Sequence, residues 1–430
     1  MSDAGRQRDT LRRLFEAAVA AAHPSACLVP HLPAPPARGR LIVLAAGKAG
    51  ASMAAAAERF YREMHGLSAG RLTGLAVTRH GYGEPAGLIP VVEAGHPMPD
   101  RQGVDATERT LALAGEATAD DLVLVLLSGG GSANWIAPAG QLTLEEKQGI
   151  TRALLRSGAT IGEINTVRKH LSRIKGGRLA AVAAPAPVLT LAISDVPFDD
   201  PAVIASGPTV PDPSTLAEAR AIVARRKVPL PASAAALLDS PASETPKPGS
   251  PVFSATEFRI VARPADAVAA AAQSAIAAGY EPLVLGADLE GEAREVASAH
   301  ADMAKDARAS GRRVAIISGG ELTVTIGGQG RGGPNQEYAL ALAVALDGRP
   351  GIAALAADTD GTDGGAGSAD DPAGAIIDDT TLARARALEL DPAAFLAEND
   401  STGFFERLSD LVSCGPTRTN VNDCRIILIN

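Results

Sequence analysis

Short, nearly unbroken apolar runs alternate along this chain with alanine-rich amphipathic stretches. Residues 40–46, 122–127 and 188–193 have the length and composition of buried strands, and residues 51–64, behind the first run, have helical periodicity. Alternation of this kind predicts parallel sheet covered by helices on both faces. A second series begins beyond residue 250. Strands are predicted at 259–261, 282–285, 314–317, 322–326, 352–357 and 425–429, and helices at 265–278, 292–310 and 335–346. Between the two series, six prolines fall from Pro229 to Pro251, among Ser and Lys. That stretch reads as an interdomain linker with one short helix at 232–238, separating domains at 1–235 and 252–430.

Composition narrows the class. With 430 residues, and domains of on the order of 100–200 residues, two domains are expected. Hydrophobic residues at 46% supply real cores, whereas aromatics at 3% leave little for base-stacking platforms. A formal net charge of −9 and the lack of a basic stripe argue against nucleic acid as a partner. No apolar run is long enough to cross a bilayer, and the N-terminus is amphipathic without a signal-peptide core. Cys27, Cys414 and Cys424 are odd in number and show no Cys-x-x-Cys spacing. They read as reduced thiols of a cytoplasmic protein. The oligomeric state stays open, a homodimer included.

The chemically unusual residues sit just past the predicted strands, where open α/β sheets bind ligands. Gly47-Lys48-Ala49-Gly50 opens a helix, so an anion is favoured there and Lys48 adds a cation, although a plain strand-to-helix turn looks the same. It is not a Walker loop, because no Ser or Thr follows the lysine. Ser128, Gly129, Gly130, Gly131 and Ser132 form a loop whose amides and hydroxyls suit a phosphate, or else a flexible turn. Arg168 and Lys175 are seven apart and share a face if their stretch is helical, which is also how a solvated basic face arises. Asp195 follows the third strand, where a carboxylate serves as a general base or as a turn cap. Gly328, Gly330 and Gly333 satisfy Gly-x-Gly-x-x-Gly, around Arg331 and before Asn335. That spacing imitates a dinucleotide fingerprint. Asp358, Asp360 and Asp363 crowd into one loop that suits Mg²⁺ carried with ATP, or an Asx-rich surface turn.

Taken together these segments resemble the MOFRL-type glycerate 2-kinase family, whose relatives are also grouped with hydroxypyruvate reductases. The resemblance runs in order from about residue 9 to the end. It is carried by Gly47-Lys48-Ala49, Gly95-His96-Pro97, Ser128-Gly129-Gly130-Gly131-Ser132, Asn165-Thr166-Val167-Arg168-Lys169-His170-Leu171-Ser172 and Lys175-Gly176-Gly177. Further on it includes Ser318-Gly319-Gly320-Glu321, Asn335-Gln336-Glu337, Asp358-Thr359-Asp360-Gly361-Thr362-Asp363-Gly364, Gly415-Pro416-Thr417 and Thr419-Asn420-Val421-Asn422-Asp423. The resemblance implies two α/β domains, the first flavodoxin/Rossmann-like with a mainly parallel sheet, and an active site in the interdomain cleft. It implies phosphorylation of D-glycerate at the 2-hydroxyl by ATP with Mg²⁺, with Lys48 catalytic. It also implies an arginine in the second glycine-rich loop, where this chain has Pro334; Arg331 is the nearest substitute. An NAD(P)H-dependent hydroxypyruvate reductase is the alternative, and a non-enzymatic sugar-phosphate sensor a third reading. Two glycine-rich loops, fixed cations and an aspartate-rich loop fit phosphoryl transfer best.

Overall fold

The computed structural model describes residues 3–365 and 368–430. The chain divides into two compact units. One is Cys27–Val261; the other joins the N-terminal residues up to Ala26 to Ala262–Asn430.

In the first unit six strands form one sheet: β1 Leu41–Ala46, β2 Leu72–Arg79, β3 Val91–Ala94, β4 Leu122–Leu127, β5 Val188–Ile193 and β6 Thr256–Ala262. Their order is β3-β2-β1-β4-β5-β6. β1 pairs in parallel with both β2 and β4, β2 with β3, and β4 with β5. Every residue of β1 and β5 is buried, as an apolar run must be when helices cover both faces of a parallel sheet. The strand order reverses between β1 and β4, which is the topological switch point where such sheets open a crevice for ligands. β2 and β3 were not anticipated. β2 carries Gly74, at which a side chain would run into the Val43 carbonyl of β1; a glycine inside a strand hides its periodicity while allowing close approach.

The proline-rich stretch is not a linker. Helix Ala232–Asp239 buries Ala234 and Leu238 against Leu154, Ile164, Leu171 and Ile222. β6, read from sequence as the start of the second domain, completes the first sheet. Prolines punctuate turns inside a domain as readily as between domains, so composition placed the boundary too early.

The second unit has strands β7 Glu281–Gly286, β8 Val314–Ser318, β9 Ile352–Asp358, β10 Gly374–Ile377, β11 Leu411–Val412 and β12 Asp423–Ile429, in the order β11-β10-β9-β12-β8-β7. β7 and β8 are parallel, while β12 is antiparallel to β8 and β9, and β10 to β9 and β11. The last strand thus inserts into the middle of the sheet. Residues 322–326 do not form a strand. Both sides of β8 are already taken by β12 and β7, and only an isolated bridge joins Thr323 to Glu292. Helix Ala293–Ala309 buries Ala293, Ala297, Ala301 and Ala304, spaced along one face, against the core that includes Tyr338 and Leu342 of helix Pro334–Leu346. The N-terminal helix Asp3–Ala22 packs on helix Pro264–Ala277 and on β9 and β12, so it belongs to this unit and not to the one that follows it in sequence.

Candidate functional site

The turn after β1 and the loop after β4 are built into one another across the switch point. Gly47 has φ +118, and a side chain there would strike Ser128. The Lys48 amide donates to the Gly129 carbonyl at 2.8 Å, the Ala49 amide to Ser128 Oγ at 2.9 Å, and the Ser128 amide to the Ala46 carbonyl at 3.0 Å. From β2, Thr78 Oγ1 donates to the Gly47 carbonyl at 3.0 Å. This lattice fixes the backbone from which the half-buried Lys48 side chain projects.

Gly130 shows what faces that side chain. It has φ +84, and a Cβ added to it would lie 3.0 Å from the His96 ring and 3.3 Å from Lys48 Cγ. Lys48 Cγ, the ring of His96, two residues past β3, and the backbone of Gly130 therefore lie close together. His96 was legible only as part of a motif, because β3, the strand it follows, was not anticipated. Farther along the loop, Ser132 Oγ lies 2.5 Å from Ser206 Oγ. Asp195 stands just past β5, half-buried, next to Ser194. The fully buried Ser194 Oγ and Asn134 Oδ1 have no hydrogen-bond partner. Unsatisfied buried polar atoms cost stability and are a recurrent mark of a place where a polar ligand completes the bonding. A glycine cradle, a cation and a hydroxyl free to donate, that of Ser194, fit a phosphate-bearing nucleotide, whereas Asn134 Oδ1 can only accept.

Arg168 and Lys175 serve this loop from behind. They do not share a helix face, because helix Ile161–His170 ends before Lys175. They meet because both donate to the Ser132 carbonyl, Arg168 Nη2 at 3.2 Å and Lys175 Nζ at 2.7 Å, with Lys175 also reaching the Trp135 carbonyl at 3.1 Å. Lys175 is wholly buried. Burial first, and the neighbouring Arg168 second, hold its ammonium well below the usual lysine range. Lys175 thus supports the glycine loop through its carbonyls, a role that the expectation of direct nucleotide contact did not include.

In the second unit the expected site residues turn largely inward. Asp363 accepts at Oδ1 from the Asn335 amide (3.0 Å) and side chain (3.1 Å), and at Oδ2 from the Gln336 amide (2.9 Å) and side chain (3.1 Å). These bonds tie it to the start of helix Pro334–Leu346, which explains its position without a metal. Asn335 Nδ2 also donates to Asp423 at 2.6 Å, and Asp423 pairs with the buried Arg425 at 2.8 Å. The glycines of the Gly-x-Gly-x-x-Gly segment admit their own chain and no dinucleotide: side chains at Gly328, Gly330 and Gly333 would strike Glu398, Asp400 and Asp363. The segment also follows no strand. Arg331 pairs with Glu406 at 3.0 Å, both side chains more than half exposed at 63% and 61%. In the aspartate loop the Asp360 amide donates to Asp358 Oδ1 at 2.8 Å, and Thr362 donates to Asp360 Oδ1 through its amide (2.7 Å) and hydroxyl (3.0 Å). Among the described residues no three His, Cys, Asp or Glu side chains are arranged to hold a metal. Asp363 is committed to the helix start, while Asp358 and Asp360 accept from amides and a hydroxyl of their own loop.

Burial, then the charge of Asp423, pushes the Asp363 carboxyl up to about 7, against the bonds donated by Asn335 and Gln336. Between its ordinary value of 3.8 and about 7 the folded chain therefore holds a proton there that the unfolded chain has released. Stability from this group is greatest at the acid end of that window and declines as pH rises to neutrality. Urea midpoints measured from pH 4.5 to 7.5 should fall more steeply in the wild type than in Asp363→Asn. Parallel slopes would show that Asp363 holds no such proton.

The profile of a domain of unknown function (DUF4147) matches residues 10–239, and that of the MOFRL family matches residues 314–423. A protein of Agrobacterium vitis that bears the name of a hydroxypyruvate reductase is 51% identical over 98% of this chain and 94% of its own length. The D-glycerate 2-kinase of Thermotoga maritima is 40% identical over 91% of each chain. A crystal structure of a glycerate kinase from Thermotoga maritima superposes with a TM-score of 0.87 at 37% identity, covering 99% of this chain and all of that one.

Proposed function

The chain belongs to the glycerate kinase family that joins a DUF4147 domain to a MOFRL domain, and from that premise we propose that it transfers the γ-phosphoryl group of ATP to the 2-hydroxyl of D-glycerate. The observation that carries this reading is the meeting of Lys48, the Gly130 backbone and His96 at the switch point, with Asp195 on the adjoining strand end. Phosphoryl transfer asks little covalent chemistry of a protein; it asks for positioning and for fixed positive charge where negative charge spreads. Lys48 supplies the charge. The Ser128–Ser132 loop, tied down by Arg168 and Lys175, supplies donors whose positions are set before any ligand arrives. Asp195 accepts the proton released as the acceptor hydroxyl bonds to phosphorus. Magnesium, when bound, neutralises charge on the phosphates, and Asp358 and Asp360 are its proposed ligands. Arg331, committed to a surface pair, has no part in the proposal.

The reductase name borne by a relative has less support from this chain. The segment that imitates a dinucleotide fingerprint follows no strand, and its glycines are filled by the chain's own backbone. We therefore expect glycerate-dependent ADP formation and no oxidation of NADH by hydroxypyruvate. The product's phosphorus resonance should be a doublet, since a 2-phosphate has one proton on its carbon; a triplet would place the phosphate on the 3-position. Chelation should abolish turnover, and Mg²⁺ or Mn²⁺ should restore it. Asp358→Asn should raise the Mg²⁺ needed for half-maximal rate about tenfold, in keeping with the effect of altering one metal partner. Metal-independent turnover would refute the magnesium assignment.

A further inference from the structure

We propose that Phe198 is a specificity-determining residue, which closes over the bound acceptor and excludes water so that the phosphoryl group reaches glycerate and not solvent. The inference rests on the kinase reading above. Phe198 lies three residues past Asp195, on the segment that runs from the end of β5 to Gly207. Both ends of that segment are held. Ile193 is buried at one end. At the other, Ser206 Oγ is 2.5 Å from Ser132 Oγ, the Gly176 amide donates to the Ser206 carbonyl at 3.0 Å, and the Gly177 amide to the Gly207 carbonyl at 2.7 Å. A side chain on Gly131 would meet Ala205 at 2.9 Å, so this end lies directly on the glycine loop. The segment thus joins the proposed base to the proposed phosphate cradle.

Between its anchors the backbone is strained. Phe198 (φ 60), Asp199 (φ 55), Ala205 (φ 50) and Ser206 (φ 63) are all in the left-handed region, where side chains other than glycine are disfavoured. Such strain persists only when surroundings enforce it, and it gathers at ligand clamps and switch regions. The two pairs fall at either end of the 198–206 span, where a hinged segment absorbs its dihedral changes. Phe198 itself is 93% exposed, and among the described residues it is the one aromatic in the set of exposed large hydrophobic side chains. In a chain with 3% aromatics, a ring placed in solvent beside the base, on a strained span, has apolar area to bury when the span closes.

The chemistry such a ring governs is the choice of acceptor. In transfer to glycerate, the bond from the γ-phosphorus to the β,γ-bridging oxygen breaks and a bond to glycerate O2 forms. The hydroxyl proton goes to Asp195 and ADP leaves. Water can take the place of the hydroxyl and yield ADP, inorganic phosphate and a proton. Closing an apolar group over the site suppresses that branch.

The test compares Phe198→Ala and Phe198→Leu with the wild-type chain, following ADP, inorganic phosphate and phosphoglycerate together. Phe198→Ala should raise phosphate release relative to glycerate phosphorylation about tenfold, the scale of discrimination a single apolar contact supplies. It should also raise KM for glycerate and leave the melting temperature unchanged, because so exposed a ring contributes little to folding. Phe198→Leu should restore most of the coupling. In Phe198→Trp, addition of glycerate with a non-hydrolysable ATP analogue should shift the emission to the blue; Trp135 is already buried and is corrected for with the wild type. A wild type that makes no phosphoglycerate would overturn the kinase reading and this inference with it. An active wild type, with coupling unchanged in Phe198→Ala and unshifted emission in Phe198→Trp, would overturn the inference alone.

Discussion

Lys48→Ala will lower turnover by about two to three orders of magnitude, the loss typical when one preorganised partner of a developing charge is removed, while the chain still folds. The backbone of Lys48 holds the lattice, through its amide bond to Gly129, and the substitution leaves that bond in place. What disappears is the ammonium, carried on a side chain whose Cγ lies beside Gly130, near the His96 ring. Lys48→Arg will recover little, since a planar fork does not reproduce a compact point charge in a patch this close. Steady-state rates at saturating ATP and glycerate, alongside a melting temperature for each variant, provide the check. Near-normal turnover in the alanine variant would remove Lys48 from the mechanism.

The second large effect concerns Asp195. Asp195→Asn keeps the shape of the side chain and removes its capacity to accept a proton, so turnover will drop by about 10²–10⁴, the range for loss of a positioned general base. ATP affinity will change far less, because the proposed nucleotide cradle belongs to the turns after β1 and β4. Binding of an ATP analogue measured by calorimetry, set against turnover, separates the two. A collapse of nucleotide affinity with surviving turnover would make Asp195 a nucleotide or metal contact. The buried, unpartnered Ser194 hydroxyl next to it gives an internal comparison: Ser194→Ala removes an orphaned group, and if the hydroxyl does bind ligand, affinity and not stability will fall.

Much of the site was readable because strand ends are readable. A run such as Leu122–Leu127 stops at a glycine-rich loop, and in a parallel sheet that end is where ligands bind. Lys48, Ser128, Gly130 and Asp195 all stand just past strands that the sequence predicts. The same reasoning erred in the second unit, where residue type was right and direction was not. Asp363 and Asn335 are polar residues in an unusual cluster, but the open amides at the start of helix Pro334–Leu346 claim Asp363, and the Asn335 side chain donates to Asp363 and Asp423. Gly328 and Gly330 match the spacing of a dinucleotide fingerprint, yet the backbone that approaches them is that of Glu398 and Asp400.

From the sequence alone came the fold class, the alternation of elements and the family, because burial periodicity and turn chemistry are local properties that each segment carries with it. Tertiary structure alone decided which strands are neighbours, that β12 enters the middle of the second sheet, and that the N-terminal helix joins the C-terminal unit. It also decided the fates of like residues. Lys48 Cγ lies beside Gly130 of the glycine loop, while Lys175 is buried under the carbonyls of Ser132 and Trp135. A lysine's charge is evident in one letter, but whether that charge is presented to a ligand or held by backbone oxygens depends on groups forty or more residues away. Such long-range pairings depend on how the whole chain packs.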